Sequence, residues 1–534
     1  MTSIFRDSSK SVMGDLDSLN AQEKVLLRPV MEWGRGFYLT VGGLAAIAAV
    51  GVFAYFTQLR DGLAVTGMRD TVSWGLYIIN FVFFIGISHV GALLSSILRL
   101  TGAQWRHPIT RMAEAITFAA LLMGALMPIV DLGRPERVLN LITNGRLQSP
   151  ILWDILSITT YLTGSVIFLL LPLIPDMALL RDKFANAPAW RRWIYKIFSF
   201  GWRGTPEQHA RLERSMNTMA ILILPIAVMV HTVVSWIFAM TLRPGWNSTI
   251  FGPYFVAGAL ASGAASVVLA MAVFRKMYHL DKFITLDHFK KMAVLVLTLD
   301  ILYLYLNISE YVTLAYKMQG PEKAVLGELF TGRFAGMFWT TQIVGLIVPA
   351  CLLVLPSIKA VTGLSRIHPL RPLPLAVGGA ILFAISLATP FAQSFLGTDL
   401  SLLIAVLRVG VLMLAGLAVL SLLPWLQARP VTSFVIASAL IVVQAWFKRF
   451  LIVVPVMENP FITEGNAALS LYRPTWVEWA ITAGAMAGFL LIYFLLSRLV
   501  PIVSVWETAH AKSAETVAGP AHSPLPVPTS SPEV

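Results

Sequence analysis

Two neighbouring segments concentrate the residue types that could do chemistry. MPIVDLGRPER (residues 127–137) and SPILWDILSITTYL (149–162) set Asp131, Glu136 and Asp154 beside Arg134 and Arg137, at or near the ends of consecutive apolar stretches. Carboxylates next to arginines suit proton exchange with an apolar redox molecule. A quinol loses two protons as it loses two electrons, so its hydroxyls need acceptors within hydrogen-bond reach. A nearby arginine would hold the carboxylates ionised, and gaps between helices would supply a groove for the apolar tail. Asp131 and Asp154 are therefore the first candidates for proton exchange, with Arg134 tuning them. Tyr77 and Asn80, near one end of an apolar stretch, are candidates to line the pocket.

The elements that must position these groups are membrane spans. The 534-residue chain is 57% hydrophobic and 13% charged, and its apolar runs reach the ~20 residues that a helix needs to cross a bilayer. We expect an all-α polytopic membrane protein of about ten to twelve helices, with spans at about 37–57, 73–98, 113–131, 152–175, 216–241, 252–273, 292–316, 337–359, 373–394, 401–425, 431–455 and 476–500. The alternating pattern of a barrel strand is absent. Residues 1–36 lack an apolar cleavable leader, so the first span should direct insertion.

Most of the 40 lysines and arginines fall in links on the N-terminal side of the membrane. By the positive-inside rule both termini should be cytoplasmic, and the net charge of +12 reflects topology rather than a nucleic-acid surface. The carboxylate-bearing loop then faces outward. Residues 190–202, WRRWIYKIFSFGW, alternate aromatic and basic side chains and suit an interfacial helix on an anionic leaflet.

Ionisable groups inside spans are expensive and mark function by default. His89, His231, Asp300 and Glu310 are such groups, and with Asp131 they could form a proton line across the bilayer. Structural ties between helices are the plainer explanation for the histidines, and helix capping is the plainer one for Asp131 and Asp154 at span ends. The single Cys351 permits no internal disulfide and cannot alone ligate an iron–sulfur cluster. No set of residues reads as a metal site. WGLYIINFVFFIGISHVGALLSSILRL, from Trp74, aligns weakly with FGPYFVAGALASGAASVVLAMAVFRK, from Phe251, and each precedes a basic link and an Ile-Thr pair at 109–110 and 284–285. Duplicated bundles are the natural reading, near helices 2–5 and 6–9. Such repeats also occur in transporters, and His89 with His231 could ligate a b-type haem. A secondary transporter and a haem-bearing anchor thus stand as alternatives.

DLGRPER, SPILWD, LIPD, HTVVSWIFAMTLRPGWNSTIFGPYFVAGA, KRFLIVV and YRPTW together resemble the NrfD and polysulfide-reductase type of membrane subunit, over about residues 33–356 and 445–507. Within that family the likeness is greatest to the quinol-oxidising membrane subunits of alternative complex III. The resemblance implies two four-helix bundles, a quinone or quinol site at Asp131 and Asp154 near the outer face, and no haem or iron–sulfur cluster in this chain. It also implies partners on the outer face, an iron–sulfur subunit and a large molybdopterin-type redox subunit, besides other membrane subunits, in a bacterial inner membrane. The chain departs from the alternative-complex pattern in having Asp131 where those subunits generally have His, a shorter link to Asp154, and an additional helical pair at 370–427 containing Arg408. The expected organisation is thus a cytoplasmic segment (1–36), an NrfD-like core (37–369), the additional pair (370–427), C-terminal spans (428–507) and a disordered tail (508–534).

Overall fold

The computed structural model describes residues 20–184, 186–357, 378, 425–462 and 471–508. Described residues are helical or in turns and short links, and ten helices are long and apolar enough to cross a membrane. After a short α1 (Ala21–Met31), the first seven spans are α2 (Arg35–Asp61), α3 (Leu76–Leu100), α4 (His107–Asp131), α6 (Pro150–Lys183), α8 (Pro206–Met240), α9 (Phe251–Met277) and α10 (Leu286–Lys317). Between them lie the short α5 (Val138–Thr143) and α7 (Ala189–Phe198). Beyond α11 (Gly320–Phe330), an eighth span joins α12 (Ala335–Gln342) to α13 (Val348–Val354) through a π-helical turn at Ile343–Ile347. The last two are α14 (Pro430–Glu458) and α15 (Trp476–Leu499).

These ten match ten of the sequence-expected spans; the other two, 373–394 and 401–425 with Arg408, lie outside the described residues apart from residues 378 and 425. The helices overrun the apolar runs. α8 begins at Pro206 rather than near residue 216, with Thr205 and Gln208 closing a capping box, and its polar first turns extend past the hydrophobic stretch.

Burial identifies the centre. In its most apolar 18-residue window α3 is 89% buried, against 11% for α2, so α3 is a core helix and α2 a peripheral one. α3 packs on α4, α8 and α9, and α4 and α6 complete the first bundle. Glycines permit the closest approaches: a Cβ on Gly263 of α9 would stand 2.7 Å from Val90 of α3. The two segments of the internal repeat, α3 and α9, thus meet at the bundle junction. In the second bundle α9 and α10 pack with α13 and α14. Its fourth described member is α14, remote in sequence, whereas the expected ninth helix lies outside the described residues. α2 docks on α15, where Gly51 and Gly484 would clash if either carried a Cβ, the small-residue contact that lets membrane helices approach closely.

On the N-terminal side, residues 501–508 after α15 are clasped to one end of the first bundle, where α3 ends, α4 begins and α6 nears its end. Buried Arg111 pairs with Asp176 and donates to the carbonyls of Pro172 (2.7 Å) and Pro501 (3.2 Å). Asp176 also accepts the amides of Val505 (3.2 Å) and Trp506 (3.0 Å). Glu507 meets Arg99 at 2.7 Å, Arg106 at 3.3 Å and His107 at 3.5 Å. Burial raises the Glu507 pKa, but the His107 contact and the charges of Arg106 and Arg99 outweigh it and hold the carboxyl at about 2, below the ordinary 4.5.

A depressed carboxyl contributes stability that is fully present above about pH 4.5 and is lost as pH falls towards 2. At ~1.4 kcal/mol per unit the clasp contributes about 3 kcal/mol at neutral pH. We expect Glu507→Gln to lower stability by about that amount at pH 7 in detergent, and to flatten the wild-type loss between pH 4.5 and 2.5. Identical unfolding curves for the two proteins at pH 7 would show that the clasp carries no stability.

Candidate functional site

The Asp-Leu-Gly-Arg turn is built around one glycine. Gly133 has φ +65°, and a Cβ there would stand 2.7 Å from Leu63. Both the left-handed backbone and the lack of space favour glycine. The turn ends α4 at Asp131 and sends Arg134 into an exposed link. Asp131 itself is half-buried, and its Oδ1 is enclosed without a hydrogen-bond partner. Arg134 makes no ion pair with Asp131 or Asp154 among the described residues, so the expected tuning contact is not formed here.

Asp154 lies at the same end of the next span. Pro150 starts α6 and Ser149 is its N-cap, so Asp154 sits beyond the first turn and is not the cap. The side chain is 8% exposed, and its Oδ1 is buried without a partner. A buried carboxyl oxygen that accepts nothing is costly and is commonly explained by an unseen water, ion or ligand, or by a catalytic role. Capping is therefore not what holds Asp154 in place.

Tyr77 and Asn80 are fully buried and occupied. The Tyr77 hydroxyl donates to Gln58 Oε1 (2.5 Å), and Gln58 Nε2 donates to the Val130 carbonyl (2.8 Å) beside Asp131. Asn80 donates to Thr482 (2.9 Å) and accepts from Trp446 Nε1 (2.9 Å). As arranged, these two residues tie α3 to α2, α14 and α15 rather than face an open pocket.

Sequence reasoning missed the group that organises this end. Glu478, completely buried, accepts from the Tyr472 hydroxyl, from the Gly67 amide (2.6 Å) and from the Thr475 amide (2.9 Å). Tyr472 in turn accepts the Leu76 amide at 2.9 Å. Burial, followed by the charge of Glu478, raises the Tyr472 phenol well above its ordinary value, so it stays a donor. The Thr-x-x-Glu spacing at 475–478 is a capping-box signature. Its reach to Gly67 and Leu76 could not be read from the chain.

The intramembrane histidines meet. Their ring centroids are 4.6 Å apart, edge to face, between α3 and α8. His89 Nδ1 is 2.6 Å from the Ile85 carbonyl and Nε2 is 2.7 Å from that of Ala227. A neutral ring can donate to one of these and a protonated ring to both. Both His231 nitrogens are buried without partners. Rings in mutual contact, one with both nitrogens on carbonyls, leave no gap for a porphyrin plane between them, so the pair does not fit axial ligation of one haem.

Asp300 and Glu310 share the buried face of α10 with Tyr303 and Asn307. Glu310 accepts from Ser248, Asn307 donates to Gln342 (2.5 Å) beside the π-turn, and Tyr254 stacks on Tyr303 at 5.4 Å. Lys448 of α14 donates to Tyr311 at 2.5 Å. Both Asp300 oxygens are buried and unpartnered. The expected single line from His89 and Asp300 to Glu310 and Asp131 is thus two groups, a histidine pair in the first bundle and a polar face in the second. No hydrogen bond joins them among the described residues.

The chain is similar to a putative dimethyl sulfoxide reductase membrane subunit of Halobacterium salinarum, 32% identical over 244 residues, 44% of this chain and 52% of that protein. It is 27% identical over 329 residues to a selenate reductase subunit of Mesobacillus selenatarsenatis, covering 59% of this chain and 74% of that one. It is 21% identical over 224 residues to an Hdr-like menaquinol oxidoreductase integral membrane subunit of Archaeoglobus fulgidus, covering 41% and 46%. The chain therefore spans about half the length of the first and third of these relatives. Residues 64–370, more than half of the chain, match the polysulphide reductase NrfD family, and the chain belongs to that family.

Proposed function

We propose that this protein is the quinone-interacting membrane subunit of a multi-subunit respiratory oxidoreductase. It would exchange electrons between the membrane quinone pool and an iron–sulfur subunit docked on the outer face, in company with a large molybdopterin-type subunit. The observation that carries this reading is the pair Asp131 and Asp154. They sit at the same end of consecutive spans, each with a buried carboxyl oxygen that has no hydrogen-bond partner among the described residues. A quinol headgroup would donate its hydroxyls to such acceptors, and a quinone carbonyl would accept from the same carboxyls when protonated; the relatives are named as subunits of reductases and of a menaquinol oxidoreductase.

A bound quinone supplies the two-electron chemistry. This chain's own residues would handle the protons: Asp154 and Asp131 accept or return them at the headgroup, while Glu478, Tyr472 and Gln58 hold the surrounding helices in register. The histidine pair and the α10 face provide sites for proton movement deeper in the membrane, with His89, His231, Asp300 and Glu310 as its carriers. In this reading both termini are cytoplasmic, the membrane is a bacterial inner membrane, and the chain carries no haem or iron–sulfur cluster. The reading rests on the family rather than on the narrower resemblance to alternative complex III.

Two substitutions test it in the intact complex. Asp154→Asn keeps the shape and removes the proton acceptor, so quinol-linked turnover should fall by about 10²-fold or more while assembly is unchanged. Full turnover would remove Asp154 from the mechanism. Asp131→His should retain turnover with a displaced pH optimum if the position handles protons, and an unchanged pH profile would assign Asp131 a structural role.

A further inference from the structure

The interfacial segment singled out by its alternating tryptophans and arginines forms α7, outside the spans and on the N-terminal side. Against it, α4 and α15 leave an apolar groove of about 350 Å³, lined by Trp33, Phe37, Phe118 and Leu495 and walled by Arg191 and Arg498. This is within the range of built ligand sites. Both guanidiniums are buried, at 1% and 8% exposure.

Two arginines form the polar wall of the groove. Arg191 donates to the carbonyls of Val30 (3.1 Å) and Arg498 (3.3 Å) and lies 4.5 Å over the Trp33 ring. Arg498 donates through Nη1 to the Pro29 (2.6 Å) and Glu32 (2.8 Å) carbonyls and stacks 4.7 Å over Phe37. Among the described residues Arg498 makes no ion pair. The Glu32 carboxylate binds Arg28 instead, at 2.8 Å. Two buried donors remain unused, Arg498 Nε and Trp33 Nε1. Leaving a buried donor unmet is costly, and more so when the donor is charged.

We propose that this groove is a specific site for one anionic phospholipid. Its phosphodiester would accept from Trp33 Nε1 and Arg498 Nε beside the Arg191 charge, and one acyl chain would lie along Phe37, Phe118 and Leu495. Charge complementarity selects an anionic headgroup over a zwitterionic one, and the apolar wall selects a lipid over free phosphate. The aromatic and basic face of α7 sits at the level where headgroups lie. The site is separate from the Asp131 and Asp154 end of the spans and does not depend on the function proposed above.

The test is native mass spectrometry of the full chain in detergent, titrated with dioleoylphosphatidylglycerol or dioleoylphosphatidylcholine. We expect one phosphatidylglycerol retained at least tenfold more tightly than phosphatidylcholine. Trp33→Phe keeps the ring and removes the donor, and should weaken that retention about tenfold. Leu495→Trp, at an exposed position of the groove wall, should fill the groove and abolish it. Both variants should keep the wild-type thermal transition measured without added lipid. Equal retention of the two lipids would overturn the proposal, as would retention unaffected by both variants. Displacement of the lipid by a short-chain quinone analogue or by inorganic phosphate alone would equally overturn it.

Discussion

Everything in this molecule depends on enclosing α3. A bilayer core supplies no water, so each polar group on a helix at that depth must find a protein partner or remain unsatisfied at a cost of several kcal/mol. α3 carries Tyr77, Asn80, Ser88, His89, Ser95 and Ser96, all buried. It can do so because other helices surround it. Tyr77 binds Gln58 of α2, Asn80 binds α14 and α15, and the Ser88 carbonyl accepts from Thr117 of α4 and Tyr161 of α6. The bundle is thus assembled from the hydrogen-bond requirements of its central helix as much as from apolar packing.

Against this background the unsatisfied groups are selective. The acids with structural work are saturated: Asp176 by Arg111 and two amides, Glu478 by a phenol and two amides, Glu507 by two arginines. Asp131, Asp154, Asp300 and His231 each keep buried atoms without partners. The fold therefore spends its hydrogen bonds on holding helices together and leaves a few carboxyls and one imidazole for another molecule or a proton.

The sequence made the spans legible because a helix in lipid must be apolar for about 20 residues. Their ends were less legible, because polar turns such as those of α8 prolong a helix beyond the lipid without changing the apolar count. Partner choice was the least legible. α14 completes the second bundle from far along the chain, and nothing in its hydropathy names α9 as its neighbour. At the candidate site, Asp131 and Asp154 stood out as charges at span ends. Their surroundings did not: Gly133 sends Arg134 into an exposed link, Tyr77 and Asn80 are held by other helices, and Glu478 reads locally as a cap although it also reaches Gly67 directly and Leu76 through Tyr472.

If this chain exchanges electrons between quinone and a partner docked on its Asp131 and Asp154 side, that partner should stay with it through gentle extraction. The most direct measurement is purification of the chain from its native membrane in mild detergent, with mass spectrometry of everything that stays bound. An iron–sulfur protein and a large redox subunit should be recovered in stoichiometric amounts. Repeated recovery of this chain alone from intact membranes, with no redox partner at any detergent strength, would contradict it.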